Sequence, residues 1–289
     1  MCILCDQSDY RPKPFDLDTL LQSFHPILDH LPDHRTGQNV TYTIKDAALS
    51  ALAVFFMQSP SFLAQQQTVP RRHGRNNAQT LFGVAQIPSD NQIRNLLDPL
   101  PPDLLFPLFA TCWQTLAAAG VMAPFLAINQ NRLIALDGTQ YFSSQKVPCA
   151  ACSHKTATDG ATTYFHTVIT PVVVAPNQPH ALVLAPEFIT PQEGHDQQDC
   201  EPAAAKRWIT QYAPAFTPNT VTILGDDLYC KQPFCEVLRA QHLNFILVCK
   251  PDSHPTVYEW VDSLAAAGGV NGVTHRQWNG RFGEIWTYR

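Results

Sequence analysis

Arg132-Leu-Ile-Ala-Leu-Asp-Gly-Thr-Gln-Tyr141 and Val221-Thr-Ile-Leu-Gly-Asp-Asp-Leu-Tyr229 are two short apolar runs punctuated by glycine, the pattern of interior strands. Each run ends on a carboxylate, Asp137 in the first and Asp226 in the second. An aspartate at the carboxyl end of a buried strand lies on the rim of its sheet, where open α/β sheets place their chemistry. Two such aspartates on neighbouring strands form a clamp for a divalent metal in phosphoryl transfer.

Working outward, the chain changes character near residue 130. Before it the apolar spacing is helical: Leu105, Phe109, Cys112, Trp113 and Leu116 share one helix face, and Gly120 supplies a stop. Ser89-x-x-Gln92 reads as a capping box for a helix carrying Ile93, Leu96 and Leu97, with Arg94 on another face. With Gln79 to Ile87 before it, this outlines a helix-turn-helix, and the basic run Arg71-Arg72-His73-Gly74-Arg75 offers phosphate contacts. A solvated basic loop beside an ordinary helical hairpin is the competing reading. Residues 1–130 are thus expected to form a helical, DNA-binding domain.

After residue 130 the expected order is strand Leu133–Leu136, strand Thr162–Val174, strand Ala181–Ile189, a helix from Asp199 or Glu201, strand Val221–Leu224, helix Pro233–Gln241 and strand Phe245–Cys249. A last helix, capped by Ser253, carries Val257, Trp260, Val261 and Leu264 on one face. Thr274–Trp278 and Arg281–Tyr288 read as a hairpin turned by Asn279-Gly280. The fold class is therefore α/β, with three strands followed by alternating helices and strands (βββαβαβα).

That order resembles an RNase H-like domain. The stretches Leu136-Asp-Gly-Thr-Gln-Tyr-Phe-Ser-Ser144, Pro186-Glu-Phe-Ile-Thr-Pro-Gln-Glu-Gly-His-Asp-Gln-Gln-Asp-Cys-Glu201 and Leu224-Gly-Asp-Asp-Leu-Tyr-Cys-Lys-Gln-Pro233 resemble those of bacterial insertion-sequence DDE transposases. The resemblance covers most of residues 131–289. It implies an RNase H-like mixed sheet in which the first and fourth strands lie side by side. It also implies Mg2+ (or Mn2+) held by Asp, Asp and Glu, cleavage and strand transfer at transposon ends, DNA as partner, and a homodimer. Asp137 and Asp226 fill the first two positions. Asp226 is preferred to Asp227 because Asp226-x-x-Tyr229 resembles the family spacing and alternation turns the neighbour to the other face. The resemblance places the glutamate after the fourth strand, which leaves Glu236, Glu259 and Glu284. Glu259 lies about 200° round its helix from Val257, on the solvent side, and Glu236 stands likewise to Phe234. In such transposases a β-rich insertion follows the fifth strand and the glutamate comes after it. The expectation is a truncated enzyme, inactive alone, whose incomplete domain 131–289 ends inside that insertion. His166, His195, Lys206 and Arg207 are further candidates for phosphate contact, each with a structural reading beside it.

Composition sets the outer limits. The 289 residues, 45% hydrophobic and 15% charged with 24 prolines, suit a folded chain of many short elements. A net charge of −5 argues against indiscriminate coating of nucleic acid. No apolar stretch is long enough for a membrane helix and no secretory signal is evident, so the expected location is cytoplasmic. The nine cysteines are expected to be reduced. Cys2-x-x-Cys5 and Cys149-x-x-Cys152, with His154 near the second, have zinc-ligand spacing, although buried or loop thiols explain them as simply. Three alternatives to the transposase remain: a DNA-binding regulator of transposition, an RNase H-like nuclease using Glu259, and a zinc-binding module built on the cysteine pairs.

Overall fold

The computed structural model describes residues 16–37, 40–71, 77–84, 86–191, 199–278 and 280–288. Six helices come first: α1 (Leu17–Asp29), α2 (Ile44–Phe56), α3 (Phe62–Arg71), α4 (Asn77–Thr80), α5 (Asp90–Leu97) and α6 (Pro107–Ala118). Local chemistry sets their ends. Asp16 accepts the Asp18 and Thr19 amides at the start of α1, and Thr43 and Asp46 cap α2 reciprocally. Ser89 accepts the Gln92 amide at 3.3 Å to open α5, while Gly120 turns the chain after α6 with φ +72°. Phe24, Leu28, Leu49, Phe82, Ile93 and Leu96 pack into the core of this part. The helix-turn-helix outlined around Gln79 has as its first helix only the four residues of α4.

Seven strands follow: β1 (Arg132–Ala135), β2 (Gly138–Ser144), β3 (Ser153–Thr156), β4 (Thr162–Ile169), β5 (Val172–Val174), β6 (Leu182–Val183) and β7 (Glu187–Ile189). They precede α7 (Glu201–Tyr212), β8 (Val221–Gly225), α8 (Gln232–Ala240), β9 (Asn244–Leu247), α9 (Pro255–Ala266) and the β10–β11 hairpin (Val273–Trp278, Gly283–Tyr288). The architecture is mixed α/β, and from α7 to α9 the helices and strands alternate in the expected order.

Two of the three expected strands are each split in two. Thr162–Val174 is two strands serving two sheets: β5 pairs antiparallel with β1 and β6, while β4 pairs with β2, β3 and β7. The break falls at Thr170-Pro171, because proline has no N–H to donate to a ladder. The Pro171 carbonyl instead accepts the Leu184 amide at 2.9 Å. Ala181–Ile189 likewise splits into β6 and β7 at Ala185-Pro186. The parallel pair β8–β9 runs in register from Thr222↔Asn244 to Gly225↔Leu247.

The chain divides into two compact units, residues 1–208 and 209–289. This differs from the expected boundary at 130/131, which marks a change of secondary structure within the first unit. Side chains tie the helices there to the strands. The Arg132 guanidinium of β1 lies 5.4 Å from the Trp113 ring of α6, and Phe106 stacks on Phe188 with centroids 6.4 Å apart. Trp208, 1% exposed, donates its indole N–H to the Ala185 carbonyl at 2.8 Å and fixes α7 beside the β6–β7 corner.

In the second unit α8 buries Phe234 and Leu238, whereas α9 buries nothing: Trp260 is 74% exposed, and Val257 and Leu264 are open as well. The expected apolar stripe on α9 exists but lies largely open, with Val261 half-buried. Ser253 does not cap this helix; His254 takes the cap position, and the Ser253 hydroxyl serves Asp227. The hairpin register pairs Trp278 with Gly283, so the second strand starts at Gly283 and not at the expected Arg281.

Trp208→Ala is expected to cost about 3–5 kcal/mol and Trp208→Phe roughly 1–3 kcal/mol, the latter for stranding the Ala185 carbonyl. Urea unfolding checks both; unchanged midpoints would remove Trp208 as the anchor of α7.

Candidate functional site

In the first unit, β1 ends at Ala135, the buried Leu136 follows, and Asp137 emerges exposed on the rim. Its backbone carbonyl accepts the Thr170 amide at 3.3 Å, which holds the turn into β2. A second carboxylate stands beside this turn. A Cβ built on Gly138 would fall 2.1 Å from Glu201 Oε2, so the Glu201 carboxyl packs directly against the residue after Asp137. Only a residue without a side chain permits that approach. Glu201 opens α7, where a negative charge also suits the helix dipole. The family order points to a later glutamate, and no local signal in the sequence reports the proximity of Glu201 to Gly138.

Arg207 anchors the start of α7. Its Nε donates to Glu187 Oε1 at 2.7 Å, and Nη1 and Nη2 donate to Asp199 Oδ1 and Oδ2 at 3.0 and 2.7 Å. Nη2 also donates to the Phe188 carbonyl at 3.3 Å. The bond with Asp199 chiefly, and that with Glu187 after it, hold the guanidinium's pKa above its ordinary value. The Asp199 side chain is 2% exposed, so this fork neutralises a buried charge rather than offering a free cation to a phosphate.

In the second unit, Asp226 directly follows β8 and is exposed; its Oδ1 accepts the Leu228 amide at 2.8 Å. Asp227 faces differently. Its Oδ1 accepts the Lys250 amide at 2.8 Å, its Oδ2 accepts the Ser253 hydroxyl, and His254 Nε2 lies 3.4 Å from Oδ1. The Ser253 bond, with the Lys250 amide second, keeps the Asp227 carboxyl below the usual range. Asp227 is thus engaged with the 250–254 loop, while Asp226 retains its second oxygen for a ligand.

The described residues hold two sulfur-and-imidazole clusters, neither of which includes Asp137, Asp226 or Glu201. Cys149, Cys152 and His166 converge in the first unit, and Cys230, Cys249 and His254 in the second. All described cysteines are free. Burial, then the neighbouring Cys249, pushes the Cys230 thiol up to about 11. Burial likewise raises Cys152, with its bond to Cys149 adding to it. The sequence reading saw the Cys149-x-x-Cys152 spacing but paired it with His154; the strand register brings His166 instead.

The remaining candidates are dispersed. Arg94 is exposed and paired with Asp90 at 2.9 Å, Lys206 lies on α7, and Arg71 ends α3. Arg72, Arg75, His73, His195, Cys2 and Cys5 lie outside the described residues. Glu236 accepts a bond from Gln232 at 2.8 Å, and Glu259 sits on exposed α9 in neither cluster. Among the described residues, no helix is long and apolar enough to cross a membrane.

No family model matches the chain. No curated protein matches it either. Among solved structures it is similar to the piggyBac transposase in a synaptic complex with hairpin DNA, at 10% sequence identity and a TM-score of 0.41. The match covers 95% of this chain and spans 58% of the length of that one. A likeness of this degree carries no argument about what this chain binds or does.

Arg207→Met is expected to cost about 2–4 kcal/mol, the partial exposure of the guanidinium holding the loss toward the lower figure. Arg207→Lys should recover little, since one ammonium cannot replace the two-pronged bond to Asp199. Denaturant midpoints check this; a fully stable Arg207→Met protein would show that Asp199 needs no partner. For Cys230, the raised pKa favours the neutral thiol in the fold. That contribution is present below pH 9 and lost as the pH rises towards about 11. At pH 8, alkylation of Cys230 in metal-free protein should run about 100-fold slower than that of an ordinary exposed thiol, followed by peptide mass spectrometry.

Proposed function

We propose that this chain is a DNA transposase of the DDE type, related to those of bacterial insertion sequences. On this reading residues 131–289 carry an RNase H-like domain, acting in the cytoplasm on transposon ends and target DNA as a homodimer. Asp137 and Asp226 bind Mg2+ or Mn2+. The observation that carries this reading is the pair of exposed carboxylates at strand ends, Asp137 after β1 and Asp226 after β8, each set free by a short buried run.

The donors suit such an ion. Mg2+ and Mn2+ prefer hard oxygen ligands, and both residues offer carboxylate oxygens open to solvent. Among the described residues, the Asp137 carboxylate takes part in no hydrogen bond or ion pair. When bound, the ion supplies positive charge to the attacking and leaving oxygens of an in-line displacement at phosphorus. Glu201 is proposed as the third carboxylate in place of the later glutamate expected after the insertion, and the chain is proposed to be active alone rather than inactive, since Gly138 keeps the space that brings the Glu201 carboxyl beside the Asp137 turn. Asp227 acts as a positioning residue: by gripping the Lys250 amide and Ser253 it leaves Asp226 to the metal. The DNA itself meets Arg71, Arg72, Arg75, Arg94 and Lys206, whose charges serve the phosphate backbone.

The test is nicking of supercoiled DNA by the whole chain in Mg2+ or Mn2+. Asp137→Ala, Asp226→Ala and Glu201→Ala should each lower the rate by at least about 10²-fold while leaving the far-ultraviolet circular dichroism intact. Gly138→Ala, which displaces only the end of the Glu201 side chain, should lose activity with a stability cost below about 1 kcal/mol. Absence of metal-dependent nicking, or nicking untouched by the aspartate substitutions, refutes the reading. DNA bound without cleavage would favour the regulator instead.

A further inference from the structure

Outside the carboxylate site, the excursion between β2 and β3 has an unexplained order. Residues 145–151 are all exposed, and Val147 contributes nothing to a core. Only Cys152 is buried. A polar loop of this kind has little apolar burial to offset the entropy of ordering it. Yet both of its thiols turn inward onto one imidazole. Cys149 Sγ lies 3.3 Å from Cys152 Sγ, and His166 Nε2 lies 3.2 and 3.3 Å from the two sulfurs.

We propose that Cys149, Cys152 and His166 form a structural zinc site that staples the 145–152 loop to β4. Three donors at nearly equal separations define a triangular face of a tetrahedron. With Zn–S near 2.3 Å and Zn–N near 2.0–2.1 Å, the edges of such a face measure about 3.6–3.8 Å, so the thiols need to spread by only a few tenths of an ångström. The backbone is already arranged for it. The Cys152 amide donates to the Cys149 carbonyl at 3.1 Å, closing a tight turn that puts both thiols on one side. The Cys149 amide donates to Cys152 Sγ at 3.3 Å, a bond that favours the thiolate a metal requires. Rings flank the imidazole: Tyr141 stacks on His166 with centroids 5.6 Å apart, and Phe142 lies at 5.4 Å. Such an apolar surround fixes the ring orientation and limits solvent access. Thiolate and imidazole donors select Zn2+ over Mg2+ or Mn2+, which keeps this site chemically separate from the carboxylates. A water or a further side chain completes the coordination.

The experiment compares zinc per chain, by inductively coupled plasma mass spectrometry, in full-length protein dialysed against metal-free buffer. Cys149→Ser/Cys152→Ser should hold about one equivalent less than wild type. Cys230→Ser/Cys249→Ser, which removes the other sulfur cluster, should keep that equivalent. A second readout covers loss of folding in the first variant. In the Cys230→Ser/Cys249→Ser background, Co2+ should give a thiolate charge-transfer band and the strong visible bands of tetrahedral cobalt. His166→Cys in that background should retain binding with a shifted spectrum, and His166→Ala should weaken it at least about 10-fold. Unchanged zinc in Cys149→Ser/Cys152→Ser, no cobalt–thiolate band, or a Cys149–Cys152 disulfide in metal-free protein purified with reductant would overturn the proposal.

Discussion

The grip of Arg207 on Asp199 and Glu187 is the interaction on which the candidate site depends. It joins three segments: β7 through Glu187, the approach to α7 through Asp199, and α7 itself. Trp208, the next residue, adds a fixed point on the Ala185 carbonyl. With both in place the first turn of α7 has little freedom, and Glu201 is held where Gly138 leaves room for its carboxyl. The charges are unequal in burial, since Asp199 is nearly enclosed while Arg207 is about a third exposed. Such an arrangement adds less net stability than its short distances suggest, because desolvating Asp199 offsets much of the attraction. Its contribution is to placement: a two-pronged guanidinium fixes angle as well as distance.

Proline organises the strands around that anchor. Pro171 and Pro186 sit between strands that belong to different sheets, and each interrupts a ladder that the neighbouring residues would otherwise continue. At Pro171 the chain passes from β4 into the β1–β5–β6 layer, and at Pro186 it leaves that layer for β7, which pairs with β4 in a second layer. That second layer carries His166, and the departure of β2 from β1 is the turn that exposes Asp137.

These features explain which parts were legible in the sequence. β1, β8 and α8 were clear because their apolar residues are buried and bounded by glycine or proline. β2 was not, because its residues run exposed along most of their length and show no alternation from which a face could be read. Thr162–Val174 looked continuous because β-branched residues lie on both sides of Pro171, and the proline was given too little weight. The α9 stripe was read correctly as a pattern and wrongly as a buried face: amphipathicity records that a surface is apolar, not that a partner covers it. Asp137 and Asp226 could be found because strand ends are local signals. Glu201 and His166 could not, since each gains its meaning from a partner reached through the fold, Gly138 in one case and the Cys149–Cys152 turn in the other.

The separation of donor types has a consequence for metal chemistry in this chain. Zn2+ binds most nitrogen, oxygen and sulfur sites more tightly than Mg2+, so a carboxylate site intended for Mg2+ is open to capture by stray zinc. Thiolates on the same chain counter this by offering zinc a better home. Cys149, Cys152 and His166 provide such a set, and Cys230, Cys249 and His254 provide another beside Asp227. In the second cluster burial, and after it the adjacent Cys249, holds the Cys230 thiol neutral. A metal must displace that proton to bind there, and at the loop cluster an amide is already directed at Cys152. Donor chemistry alone separates the sites: thiolate and imidazole suit Zn2+, and the strand-end carboxylates suit the harder ion.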